Sequence, residues 1–198
     1  VKNKNSVTII IAAVLVVIAA AGGYFVGRNS GDGYATRQVP VSSTEAGPAR
    51  GGASLVADLE AKLRKNPDDV QSLYAIADTY FSMKRFDEAA RYYNRLLKLK
   101  PDDADLYNDL GLSLHYLGKS AEGLASLEKG IKKNPYNQRI WLTKGFILAY
   151  GIGDLEKAGE AWKKARALDP KSSVGKAADN YLAQIKKTAK NGALKEKK

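Results

Sequence analysis

The chain contains no cysteine, and His115 is its one histidine. The first absence excludes disulfide staples and thiolate metal sites, although it does not fix a compartment, because disulfides are optional even where they are allowed. With a lone histidine, no glycine-rich phosphate loop and no cluster of metal-ligating residues, enzymatic chemistry has no material to work with. No catalytic residue, no metal site and no cofactor site is expected. The acidic pairs Asp68-Asp69 and Asp102-Asp103 directly follow prolines, where carboxylates serve to start helices. Proline is also sparse, at six residues in 198, and its placement is the main signal in the chain.

Pro67, Pro101 and Pro135 stand 34 residues apart, and Pro170 follows after 35. The helix-capping types Asp69, Asp103 and Asn137 keep the same interval. Each proline ends a helix, since it lacks an amide donor and disfavours helical geometry in the residue before it. The Asp or Asn two positions later caps the next one. Between these marks three units read as pairs of antiparallel helices: Val70–Asp103, Ala104–Asn137 and Gln138–Lys171. Small residues recur at Ala77, Gly111 and Gly145, where the two helices of a unit cross. Large or small packing residues recur at Tyr93, Leu127 and Trp162 and at Leu96, Gly130 and Ala165. One residue is inserted near Gly151-Ile152-Gly153. Gly123 and Gly130 replace a helix-forming small residue in the second helix of the middle unit, so that helix is expected to be the softest. Gly123→Ala is expected to stabilise it.

This period and residue pattern resemble the tetratricopeptide repeat (TPR), which implies an all-α helix-turn-helix solenoid. Three repeats suffice for a continuous core when both ends are sealed. Leu55, Val56, Leu59 and Leu63 predict a capping helix over 53–66. Val174, Ala177, Ala178, Tyr181, Leu182 and Ile185 predict a second over 173–186, within a TPR domain of 53–186. Net charge is +11; residues 70–170 hold sixteen basic against thirteen acidic side chains, and residues 171–198 hold eight against two. The basic tail at 187–198 has no aromatic residue and reads as a solvated end, so nucleic acid is not expected as a partner.

Val7–Val26 carries no charge and as a helix would span about 30 Å, a bilayer core. Residues 1–27 are therefore expected to form an N-terminal transmembrane anchor, with membrane contact through 7–26. Lys2 and Lys4 ahead of it favour a cytoplasmic N-terminus and place the repeats outside the cytoplasm, facing a bacterial periplasm. Ala19-Ala20-Ala21 leaves cleavage and secretion as the alternative. Gly23 and Gly27 make a GxxxG pair that could associate spans into a homo-oligomer. Residues 28–52, rich in Gly, Ser and Thr, read as a flexible linker.

The repeat register projects a peptide-binding groove onto the first helices: Gln71, Tyr74, Asp78 and Phe81; Asp105, Asn108, Leu112 and His115; Arg139, Leu142, Phe146 and Ala149. The chaperone-binding TPR subclass holds a terminal carboxylate with Lys and Asn at such places. Tyr74, Asp78, Leu112, Leu142 and Phe146 do not. A protein or peptide partner presenting an amphipathic helix is favoured.

Leu55, Leu59, Leu63 and Pro67-Asp68-Asp69 further resemble the opening of the TPR domain in single-anchor c-type cytochrome maturation proteins. That resemblance implies a periplasmic module holding the C-terminal helix of an apocytochrome. The expected function is thus a membrane-anchored interaction adaptor, with a self-associating structural scaffold as the alternative.

Overall fold

A computed structural model describes residues 48–195, all of it helix and short turn. The expected anchor and residues 28–47 of the expected linker lie outside the described residues, and residues 48–52 of that linker are helical instead, as the first turns of a capping helix. Among those described, no helix is long and apolar enough to cross a membrane.

Eight helices follow in order: α1 (Pro48–Lys65), α2 (Val70–Ser82), α3 (Phe86–Leu99), α4 (Ala104–Tyr116), α5 (Ser120–Lys133), α6 (Gln138–Ile147), α7 (Leu155–Leu168) and α8 (Ser173–Lys195). They form an all-α TPR array of three helix pairs, α2/α3, α4/α5 and α6/α7, between α1 and α8. The end helices differ from the expected bounds. α1 begins at Pro48 rather than residue 53, because proline is tolerated in a first helical turn, and α8 continues past residue 186 to Lys195.

Each first helix opens as its sequence requires. Asp69 accepts from the Ser72 amide, Asp103 from the Asp105 and Leu106 amides, and Asn137 from the Ile140 amide. The Ser72 hydrogen bonds also hold the Asp69 carboxyl below its usual range.

The turn inside each pair has its own register. Lys84, Gly118 and Gly153 take left-handed backbone conformations, with φ of 59°, 79° and 84°, again 34 and 35 residues apart. The residue after each donates back to the preceding helix: Arg85 to the Tyr80 carbonyl, Lys119 to Leu114 and Asp154 to Leu148, all at 2.9 Å. The third bond spans one residue more than the others. The inserted residue is absorbed there, as a π-helical turn over Leu148–Ile152, which is how a helix usually takes up a single extra residue.

The core follows the small-against-large logic of the crossings. Leu127 packs where a Cβ on Gly111 would fall 2.9 Å from its Cδ2, and the Trp162 indole lies directly over Gly145. Trp162 is 1% exposed and donates from Nε1 to the Leu142 carbonyl at 3.0 Å. Around it gather Leu148, Ala158, Ala161, Ala165, Ala178 and Leu182, joining α8 to the array. At the other end Val56, Leu59 and Leu63 of α1 enter the core of the first pair, while Leu55 is exposed at 37%. Gly123 departs from expectation. It is buried against Gly111, so the two glycines let α4 and α5 touch backbone to backbone, and a Cβ there would lie 2.6 Å from the Gly111 carbonyl oxygen.

Candidate partner-binding groove

The first helices α2, α4 and α6 run in the same direction, each entered from a cap beside a proline, and α4 packs directly on α6. Their N-terminal ends form one rim of a common face and their C-terminal ends the other. The two rims differ in chemistry.

At the N-terminal rim a polar network crosses between repeats. Arg139 of α6 donates from Nη1 to Asp105 and from Nη2 to Asp109, both at 3.1 Å. Asn137 donates to the same Asp105 oxygen, and Asn108 to the same Asp109 oxygen, again at 3.1 Å. Tyr74 donates its hydroxyl to Asp103; past the middle of α2, within the first pair, Tyr93 donates to Asp78 at 2.7 Å.

The C-terminal rim is aromatic. Phe81 meets Phe86 edge-on at 5.3 Å, and Phe86 stacks on Tyr116 at 4.7 Å. His115 touches Tyr116 and the edge of Phe146, each at 5.4 Å. The row continues through Tyr150 and Tyr181 to Trp162, the last pair stacked at 4.6 Å. The π-helical turn brings Tyr150 into this row. Burial pushes the Tyr150 phenol up to about 12, with help from Tyr181, and raises Tyr116 and Tyr181 as well. These hydroxyls therefore stay neutral. Burial also holds His115 below the usual imidazole value, and its Nδ1 lies 2.9 Å from the Ser120 hydroxyl.

Of the projected groove residues, Gln71 and Asp78 are exposed, and Tyr74, Phe81, Asp105, His115, Arg139, Leu142 and Phe146 are half-buried on this face. Asn108, Leu112 and Ala149 are buried instead. The reason is that α4 is flanked by α3, α5 and α6 at once, which leaves its middle no free surface, while Ala149 is drawn into the π-helical turn. The register did not single out Tyr116, 45% exposed, or Tyr150. The i+1 neighbour of a projected position was the available signal for Tyr116, and the inserted residue was the signal for Tyr150.

Two hollows lie on another side, between successive second helices. One of about 670 Å³ is floored by Leu97, Tyr107, Leu110 and Leu114. One of about 360 Å³ is floored by Leu124, Trp141, Leu148 and Ala161. Tyr107 and Trp141 are repeat-equivalent, and each donates to the carbonyl of the proline six residues before it, Pro101 or Pro135. These hollows recur with the repeat and follow from its spacing. The acidic network and the π-turn cluster do not recur, which marks the first-helix face as the specialised one. Among the described residues no group of three or more His, Asp or Glu side chains could hold a metal ion.

A family model described as TPR repeat matches residues 77–118. The Hsp70-Hsp90 organizing protein of Triticum aestivum is 32% identical over 109 residues, which are 55% of this chain and 18% of that protein. The chain thus spans less than a fifth of that relative's length. Among solved structures, MamA superposes with a TM-score of 0.57 at 16% identity, covering 73% of this chain and 92% of the other. The first TPR of Spaghetti (RPAP3) bound to HSP90 peptide SRMEEVD gives 0.54 at 19%, covering 61% and 92%. The match places a TPR repeat at residues 77–118, and the superpositions show the fold of such arrays; none of the proteins just named is described as a cytochrome maturation protein.

Proposed function

We propose that this protein is a membrane-tethered adaptor that holds a helical segment of a partner protein on the face formed by α2, α4 and α6. The observation that carries the reading is the two-rimmed face itself, with apolar rings along one edge and hydrogen-bonding groups along the other. An amphipathic helix lying across the three first helices would meet apolar surface on one side and polar groups on the other. The tether is supported by the uncharged run Val7–Val26, and the extracytoplasmic orientation by Lys2 and Lys4 ahead of it. An apocytochrome helix as the client is the narrower form of the proposal, supported by the resemblance over Leu55–Leu106. The RPAP3 domain takes an acidic HSP90 peptide; here Asp78, Asp105 and Asp109 stand on the face, so such a peptide would meet like charge.

The test is affinity capture with the full chain carrying Leu142→Glu or Phe146→Glu. Loss of a central apolar anchor commonly costs about 2 kcal/mol, roughly thirtyfold in affinity, so partner recovery should collapse. Undiminished recovery by variants whose helicity is intact would remove the groove from the account.

A further inference from the structure

We infer that the edge of the array where α5 and α7 end, with the proline turns that follow them, docks on an anionic bilayer surface, its lysines on lipid phosphates and the Tyr136 ring among the headgroups. This rests on the tether reading above, which keeps the array beside a bilayer, and adds which edge the array turns toward it.

The second helices run in one direction, so their C-terminal ends and the proline turns after them share an edge. Basic residues there have an ordinary reason, since a cation in a last turn offsets the helix dipole, and at the first two turns aspartates follow at once. From six residues before Pro67 to two after it stand three basic and two acidic side chains, and the same stretch around Pro101 repeats those numbers. Around Pro135 it holds Lys129, Lys132 and Lys133 against no acid, because Tyr136 and Asn137 replace the Asp-Asp of the earlier turns. Around Pro170 it holds Lys164, Arg166 and Lys171 against Asp169. Lys133 pairs with Asp102 at 2.6 Å and Arg166 with Asp179 at 3.1 Å. Lys129, Lys132, Lys164 and Lys171 are exposed and have no carboxylate partner among the described residues. Positive charge therefore gathers at one end of one edge.

Tyr136 is the second observation, independent of charge. At 77% it is the most exposed large apolar side chain among the described residues. The turn does not need the ring: Asn134 accepts from the Tyr136 amide at 3.0 Å, and Asn137 caps α6. A phenol ring standing free among lysines is the pairing that settles at a bilayer interface, the ring at headgroup depth and the lysine stems lying along it. Each lysine near an anionic leaflet raises partition about fivefold. Nucleic acid would call for arginine forks or a platform of stacked rings, and this edge offers one arginine, already paired, and one ring.

Because the chain has no cysteine, Ala167→Cys, exposed in the last turn of α7, gives a single site for a fluorophore on this edge, and Ile152→Cys gives one in the π-helical turn on the opposite edge. The labelled full chain is placed in nanodiscs of phosphatidylcholine, with or without about one-third phosphatidylglycerol, that carry a trace of headgroup-nitroxide lipid as quencher. Quenching at 167 should be about threefold greater with phosphatidylglycerol and fall back in about 0.5 M KCl, while 152 stays unquenched in both lipids. Lys129→Gln with Lys132→Gln and Lys164→Gln should return 167 to the phosphatidylcholine level, and Tyr136→Ser should weaken its quenching. Lys62→Gln with Arg64→Gln and Lys65→Gln, which removes the same net charge at the end of α1, should leave it unchanged. Equal quenching in both lipids, or the same loss from both triple variants at unchanged helicity, overturns the inference while leaving the tether intact. A chain that does not co-elute with phosphatidylcholine discs removes the tether reading instead; its recruitment to phosphatidylglycerol discs with 167 quenched would still uphold the docking edge, and no recruitment would overturn it. Release of the quenching by an equimolar DNA strand of about 20 nucleotides assigns the edge to nucleic acid and likewise overturns it.

Discussion

Gly123→Ala separates two opposed effects on one residue. In an open helix the substitution gains about 0.5–1 kcal/mol, because alanine loses less backbone entropy. At Gly123 the new methyl would stand 2.6 Å from the Gly111 carbonyl oxygen and 3.4 Å from Ile147 Cδ1. The first neighbour is backbone and cannot rotate away, so α4 and α5 must part by about 0.8 Å to restore ordinary contact. Overpacking of that kind costs about 1–3 kcal/mol, and the net loss is about 0.5–2 kcal/mol. Gly159→Ala in α7 is the control, since its methyl meets Ile185 Cδ1 at 3.9 Å and keeps the full propensity gain. Thermal melts followed by circular dichroism should show the midpoint of Gly123→Ala lowered by about 2–6 °C and that of Gly159→Ala raised by about 1–4 °C. Equal stabilisation by both would refute the close approach of the two helices, and with it the registration of the middle repeat.

Lys84 takes the left-handed conformation that glycine holds at the equivalent positions 118 and 153, so Lys84→Gly should raise stability by about 0.5–1 kcal/mol in urea titration; a loss would mean that the lysine side chain anchors the turn. Trp162→Ala removes the indole buried over Gly145 and stacked on Tyr181 and should cost about 3–5 kcal/mol, read as a lower urea midpoint, with α8 detaching first in hydrogen exchange. Because burial lowers the His115 imidazole, the unfolded chain binds more proton in the window just below the usual value of about 6.5, so stability falls as pH drops through it. His115→Gln should flatten the urea midpoint between pH 7.5 and 5.5, and an unchanged slope would show that the ring is solvated.

Much of the array was legible because its determinants are local. Proline at a fixed interval, followed by Asp or Asn, sets where first helices begin, and Asp69, Asp103 and Asn137 cap as their residue types require. Crossing geometry was legible only in part. Gly111 and Gly145 read correctly as close-approach positions, but Gly123 looked like a weak helix residue because its constraint, the Gly111 carbonyl, lies on a different helix. The groove register grouped residues of the three first helices but could not give their accessibility. Leu112 and Asn108 fall on the projected stripe, yet the packing of α4 against three neighbours buries them, and no pattern within α4 encodes where α6 will lie. The one-residue insertion was visible, whereas its outcome as a π-helical turn that carries Tyr150 to the aromatic rim depends on tertiary contacts.

The central claim is that the partner sits on the face of α2, α4 and α6. Site-specific photo-crosslinking of the full chain in living cells tests it most directly, with the probe at Tyr116 or Leu142 on that face and at Ala125 or Glu160 beside the hollows between second helices. The account predicts one partner adduct shared by Tyr116 and Leu142 and none from Ala125 or Glu160; adducts from the second pair of sites alone would contradict it.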